Sequence, residues 1–299
     1  MNFPFLLPGI YVTIKWTDCK YLSKPKWKIK LWIRIMRIFG LCDIIIKNNV
    51  NGGYIVIKVI LWDIDNTLLD FDEAEVAALN KGFEEFELGE FTEEMLKEYM
   101  VINRRRWQML ERGEMPKKEV VEGRFIEFFE GRGLPVEKAV PFNNRYQELL
   151  GEVVYFRDNA YEIIKDLKGK VLQCAASNGT KVAQVGKLKN SGLGELFDLV
   201  FISEDVGYEK PAIEFFDKAL GDSIALLREK GDLGAEEELN LSDVLMIGDS
   251  LTSDMKGGNN AGIKTCWYNP KGHVNDKGVQ VDYEIKELSE VYGILGEMK

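Results

Sequence analysis

Two aspartates, Asp63 and Asp65, follow the β-branched run Val56-Ile-Lys-Val-Ile-Leu-Trp62, and a hydroxyl, Thr67, comes two residues later. Residues two apart on an extended segment point the same way, so this spacing can aim both carboxyls at one site. Two more acids, Asp249 and Asp254, leave a second apolar run, Val244 to Gly248. Four carboxylates around one crevice repel one another and stay ionised together only if a cation joins them. Oxygen donors alone favour Mg2+, which keeps several waters and binds through one or two carboxylates plus a substrate phosphate. Lys210, immediately before Pro211, can neutralise a phosphate and hold an attacking carboxylate in its charged form. Ser177-Asn178-Gly179 reads as a strand-to-helix turn whose hydroxyl and free amides suit phosphate oxygens. Each piece alone is commonplace, because Asp-x-Asp occurs on many surfaces and Lys-Pro is an ordinary helix start. Their order along the chain is what makes the set specific.

Those residues need strands to carry them. Besides the run ending at Trp62, strand-like runs are Val171 to Ser177, Leu199 to Ser203, Val244 to Gly248 and Ile263 to Tyr268. Helical patterns lie between them, at Tyr161 to Leu167, Lys181 to Asn190, Ala212 to Leu220 and Ser253 to Ala261. Alternating strands and helices predict a parallel sheet with right-handed crossovers, whose ligands bind beyond the carboxyl ends of the strands. Four strands end in polar or acidic residues there: Asp63/Asp65, Ser177/Asn178, Ser203/Glu204 and Asp249/Ser250. Residues 74 to about 151 read as helices only, with Leu96, Tyr99, Met100, Trp107 and Leu110 at helical spacing. Val121, Phe125, Phe128 and Phe129 recur in the same way, and Pro141 can open a further helix. Arg104-Arg-Arg106 is a basic cluster that reads either as a solvated face or as a patch for an anionic substrate. Gly221 to Asp243 reads as a polar insertion with one short helix, Ile224 to Arg228.

Taken together, the motifs resemble those of the haloacid dehalogenase (HAD) superfamily of hydrolases. The matching segments are Asp63-Ile-Asp65-Asn-Thr67-Leu-Leu-Asp70, Ser177-Asn178-Gly179, Lys210-Pro211 and Gly248-Asp249-Ser250-Leu-Thr-Ser-Asp254. The resemblance covers residues 56–299. It implies an α/β fold, a Rossmann-like parallel sheet core (56–72 and 159–299) with an inserted all-helical cap domain (73–158). Ser203-Glu-Asp-Val-Gly207-Tyr-Glu-Lys-Pro211 and the stretch Gly257-Gly258 to Asn269-Pro270 look like the pyrimidine 5′-nucleotidase-like branch, although that branch usually has Thr where Ser177 stands.

By this resemblance Asp63 is the nucleophile that forms an aspartyl phosphate, and Asp65 is the acid and then the base. Thr67, Ser177, Asn178 and Lys210 would bind the phosphoryl group. Mg2+ would be held by Asp63, the Asp65 backbone carbonyl and Asp249, with Asp254 acting through water or by orienting Lys210. The family's dehalogenases lack an acid at the position of Asp65, which favours phosphoryl transfer here. The expected substrate is a small phosphate monoester, first a pyrimidine nucleoside 5′-monophosphate; a broad-specificity sugar or metabolite phosphatase is the alternative.

Composition limits the other readings. The 299 residues carry 39 Lys+Arg against 49 Asp+Glu, a formal net charge of -10, and the split is uneven. Residues 1–55 hold nine basic and two acidic side chains and three of the six Trp, whereas residues 56–299 carry a net charge of -17. The acidic body disfavours a nucleic-acid polymer as partner. No run reaches the roughly 20 apolar residues of a membrane span, and the opening stretch lacks the basic start of a signal peptide. The four widely spaced Cys form no metal or disulfide framework, so a reducing, cytoplasmic setting is expected, with Cys174 and Cys266 as buried strand residues. His273 is expected in a loop.

The basic head itself admits two explanations. Gly52-Gly53 can be encoded like an in-frame ribosome-binding site, with Val56 as an alternative start, which would make residues 1–55 translated upstream sequence. The other explanation is an amphipathic anchor around residues 31–46 that binds a membrane or a partner.

Overall fold

The computed structural model describes residues 5–7, 10–12 and 57–296. The chain divides into two compact units, Met1–Ile55 and Val56–Lys299. In the first, β1 (Phe5–Leu7) and β2 (Ile10–Val12) pair antiparallel. The remainder of the basic head, with both explanations offered for it and with Cys19 and Cys42, lies outside the described residues.

The second unit is built on six strands: β3 (Val59–Trp62), β4 (Leu172–Ser177), β5 (Leu199–Ile202), β6 (Val244–Gly248), β7 (Lys264–Tyr268) and β8 (Tyr283–Ile285). Their spatial order is β5-β4-β3-β6-β7-β8 and every pairing is parallel, with Val59 opposite both Leu172 and Val244. Side-chain alternation divides the core between the two faces of the sheet. Ile60, Trp62, Ala175, Leu245 and Ile247 pack on one face, and Val59, Leu61, Cys174, Met246 and Trp267 on the other.

Between β3 and β4 stand four helices, α1 (Phe71–Glu85), α2 (Glu93–Glu111), α3 (Lys117–Arg132) and α4 (Ala139–Glu152). They enclose a hydrophobic cluster of their own, rich in rings: Phe83, Tyr99, Phe125, Phe128, Phe129, Phe142 and Tyr146. The crossovers are α5 (Ala160–Leu167), α6 (Lys181–Ser191), the single turn α7 (Ser203–Val206) and α8 (Ile213–Lys230). Then come α9 (Lys256–Asn260) and the terminal turn α10 (Val291–Ile294). The parallel sheet and the inserted helices agree with the sequence reading.

Three details differ from it. The short helix in the Gly221–Asp243 stretch is not separate, because α8 runs unbroken from Ile213 to Lys230. Its buried stripe of Phe216, Ala219, Leu220, Ser223 and Leu227 continues through Gly221, and Ser223 Oγ donates back to Ala219 O (2.7 Å). The edge strand β8 was not anticipated, since its three residues pair on one side only and carry the charged Glu284. The expected helix Ser253–Ala261 begins instead with one wide π-type turn, Leu251–Met255. Cys174 and Cys266 are buried strand residues, and His273 lies in a loop. Among the described residues no helix is long and apolar enough to cross a membrane.

Candidate active site

Asp63 leaves β3 while still hydrogen-bonded in the sheet, its N–H donating to Ile247 O (2.9 Å). The chain then reverses over Asn66, whose φ of 63° is tolerated by an Asn. That turn brings Thr67 back, so that its hydroxyl donates to Asp63 Oδ2 (3.0 Å). Arg157, from beyond the helices, braces the turn by donating to Asn66 Oδ1 (3.1 Å) and pairing with Asp70 (3.0 Å).

Lys210 is 1% exposed, and its Nζ donates to Asp63 Oδ1 (2.8 Å), Asp254 Oδ1 (2.7 Å) and Ala176 O (2.6 Å). All three ammonium protons are therefore used. Burial would lower its pKa, but Asp254 and Asp63 together raise it above the usual lysine range. Burial pushes Asp63 up to about 7 against the pull of Lys210, and Asp254 adds to the rise.

Asp254 accepts on its other oxygen from the Ser250 N–H (3.1 Å), a bond set up by the wide turn. Gly248 is obligatory beside it, because a Cβ there would lie 2.2 Å from Asp254 Oδ2. Carboxylate oxygens of Asp63, Asp249 and Asp254 all lie within 4.8 Å of one another. Among the described residues no donor reaches the Asp249 carboxylate, and burial, then Asp63 and Asp254, raise its pKa well above the carboxylate range. Three acids this close against one ammonium leave net negative charge, which is what a hard divalent cation would neutralise. The residues fit the ion.

The structure refines three of the sequence expectations. Asp65 does not join that trio: its carboxylate faces α6, accepting from Gln184 Nε2 (2.7 Å) and Lys187 Nζ. These two partners draw it away, so the i, i+2 spacing does not by itself bring the two carboxyls together. The Asn178 side chain is occupied, giving Nδ2 to Lys210 O (2.8 Å) and receiving the Lys210 N–H on Oδ1 (2.8 Å). It clamps the Lys210 backbone, so only its main-chain amide is free for a phosphate. Arg105 and Arg106 both pair with Glu127, so that part of the basic cluster is tied down on the helix face and one of its two charges is offset. Ser177 is buried at the end of β4, its hydroxyl accepting from the Gly179 N–H (3.0 Å).

Some partners were invisible in the sequence. Lys117, at the start of α3, donates to Ser203 Oγ (2.7 Å) and Gly179 O (3.0 Å), and burial lowers its pKa. Glu111, at the end of α2, accepts from Thr252 Oγ1 (2.8 Å). The turn between α2 and α3 is thus tied at both ends to strand-end loops. No local pattern foretells bonds between residues 86 and 141 positions apart.

Comparison with known proteins agrees with this geometry. Residues 60–268 match the family model for haloacid dehalogenase-like hydrolases. The chain is 34% identical over 238 residues to the HAD-hydrolase YfnB of Bacillus subtilis, spanning 80% of this chain and 95% of that protein. It is 37% identical over 241 residues to the pyrimidine 5′-nucleotidase PynA of Streptococcus pneumoniae (80% and 94%). It is 28% identical over 236 residues to the pyrimidine 5′-nucleotidase YjjG of Escherichia coli (79% and 96%). A crystal structure of YfnB bound to magnesium superposes with a TM-score of 0.70 at 32% identity, covering 80% of this chain and 99% of that one. With the parallel sheet, the strand-end motifs and these relatives in agreement, the chain belongs to the haloacid dehalogenase-like hydrolases.

Proposed function

We propose that the chain is a Mg2+-dependent phosphomonoesterase that works through an aspartyl phosphate on Asp63, with pyrimidine nucleoside 5′-monophosphates as its substrates. The observation that carries this reading is the Asp63 carboxylate at the strand end, held by Thr67 and Lys210 beside Asp249. Its substrate class is suggested by the two relatives named pyrimidine 5′-nucleotidase.

Asp63 attacks phosphorus, the leaving alkoxide takes a proton from Asp65, and a water then hydrolyses the acyl phosphate after giving its proton to Asp65. Thr67, Ser177, the Asn178 amide and Lys210 surround the transferring oxygens, so they act by positioning and charge stabilisation. The Asp63 and Asp249 carboxylates and the Asp65 carbonyl would hold magnesium, which supplies positive charge against the phosphoryl oxygens. Helices α1 to α4, within residues 73–158, serve as the cap that selects the substrate, and residues 56–72 and 159–299 form the catalytic core. The separate ring-rich cluster of those helices and their contacts with the strand-end loops support that division.

Phosphate release from a panel of nucleoside monophosphates and sugar phosphates tests the proposal. Activity should favour pyrimidine nucleotides, vanish with a chelator and return with Mg2+. Asp63→Asn should lower kcat by at least about 10^3-fold. Retained activity in that variant would refute the nucleophile, and a flat panel would refute the substrate class.

A further inference from the structure

Resting on the reading of Asp65 as acid and base, we propose that Lys187 and Gln184 of α6 are positioning residues that hold the Asp65 carboxyl where it serves the leaving group. Both oxygens of Asp65 are bound from α6, Oδ2 by Gln184 Nε2 (2.7 Å) and Oδ1 by Lys187 Nζ. The Lys187 side chain is only 2% exposed, and among the described residues Asp65 is its one ion-pair partner. Its ammonium otherwise lies 4.8 Å from the centre of the Phe71 ring and feels the buried Glu75 carboxylate.

An inward-facing charge of this kind is a poor way to stabilise a helix. Taking an ammonium out of water carries a desolvation penalty that a pair seldom repays better than a hydrophobic residue would. Helix α6 nevertheless turns Gln184 and Lys187 inward and leaves Val182 and Val185 55% and 51% exposed. Gln184 also packs against the second motif, where a Cβ on Gly179 would lie 2.2 Å from its amide nitrogen. Gln184 therefore links the acid of the first motif to the turn of the second, and Lys187 holds the other oxygen of that acid. Without them nothing among the described residues would hold the Asp65 carboxyl in one orientation.

A leaving group that needs no proton separates this role from a structural one. Four enzymes are compared at saturating Mg2+: wild type, Lys187→Met, Gln184→Met and the reference Asp65→Asn. Single-turnover cleavage of a pyrimidine nucleoside 5′-monophosphate needs the acid. The p-nitrophenolate burst from p-nitrophenyl phosphate reports attack by Asp63 alone. Lys187→Met should slow the nucleotide reaction by roughly 10^2-fold while changing the burst by less than about threefold, the pattern of Asp65→Asn. Gln184→Met, which introduces no charge change, should show the same pattern more weakly and covers the case in which Lys187→Met fails to fold. Equal losses on both substrates, or no loss on either, would overturn the proposal. If Asp65→Asn itself slows both equally, the role given to Asp65 falls and the inference with it. If Asp65→Asn separates the substrates and the α6 variants do not, the inference alone falls.

Discussion

Lys210 donates all three of its ammonium protons inside the protein, two of them to carboxylates. Removing that charge leaves Asp63 and Asp254 facing each other without compensation, and an orphaned buried charge is far more damaging than a lost contact. Lys210→Met should therefore lose activity and about 3–5 kcal/mol of stability together, read as a lower midpoint in urea with an unchanged slope. The residue types here were legible from their order along the chain, since Asp63, Thr67, Lys210 and Asp254 do meet. What they do to one another was not. The Asn178 side chain clamps the Lys210 backbone, leaving its main-chain amide for a phosphate, and the Asp65 carboxylate is held from α6. Both depend on partners 32 and 119 residues away, beyond the reach of any local pattern.

Among the elements, glycines separate tight contacts from open ones. Gly151 of α4 meets Gly186 of α6, and a Cβ on Gly186 would stand 2.7 Å from the Gly151 Cα. The obstacle is backbone, so nothing flexible can yield. Gly186→Ala should cost about 1–3 kcal/mol. Gly221, exposed in the middle of α8 with nothing near its missing Cβ, should behave oppositely, and Gly221→Ala should stabilise by about 0.5–1 kcal/mol. Thermal or urea denaturation of the two variants gives the signs directly.

The helices between β3 and β4 offer a pH test. Glu75 of α1 accepts from Asn103 and Tyr146 (both 3.0 Å), and burial, opposed by Arg124, raises its pKa from the usual 4.5 to about 7. The folded protein holds this proton more tightly than the unfolded chain does. Its contribution is thus complete below about pH 4.5 and is lost as pH rises through about 7, on the order of 3 kcal/mol. Glu75→Gln should remove that downward slope between pH 4.5 and 7. A slope unchanged in the variant would show that another group carries it. Periodicity located these helices well because their buried rings recur at helical spacing. On α6 the span Lys181 to Asn190 was legible too, but not which face turns in, because valines face out and a lysine faces in.

At the scale of the whole chain, charge and compactness divide it near the same residue. The basic head ends where the acidic body begins, and the contacts separate Met1–Ile55 from Val56–Lys299. A chain beginning at Val56 should keep the melting temperature and kcat of the full protein, checked by calorimetry and phosphate release. A fall in either would assign the head a structural task. Five strands were legible as apolar runs, four of them ending in polar or acidic residues, whereas the edge strand β8 offers only three residues, one of them charged.

The glycine contact between α4 and α6 also has a mechanical consequence. Two helices that touch through bare backbone cannot be pushed closer together, because nothing flexible lies between them. On either side of that contact the Thr180 hydroxyl donates to Gln147 Oε1 (2.6 Å) and Asn190 Nδ2 donates to Gly151 O (2.7 Å), so the pair is pinned against turning as well. The glycine contact therefore acts as a fixed spacer, setting how near the inserted helices stand to α6 and so to the side chains that hold Asp65.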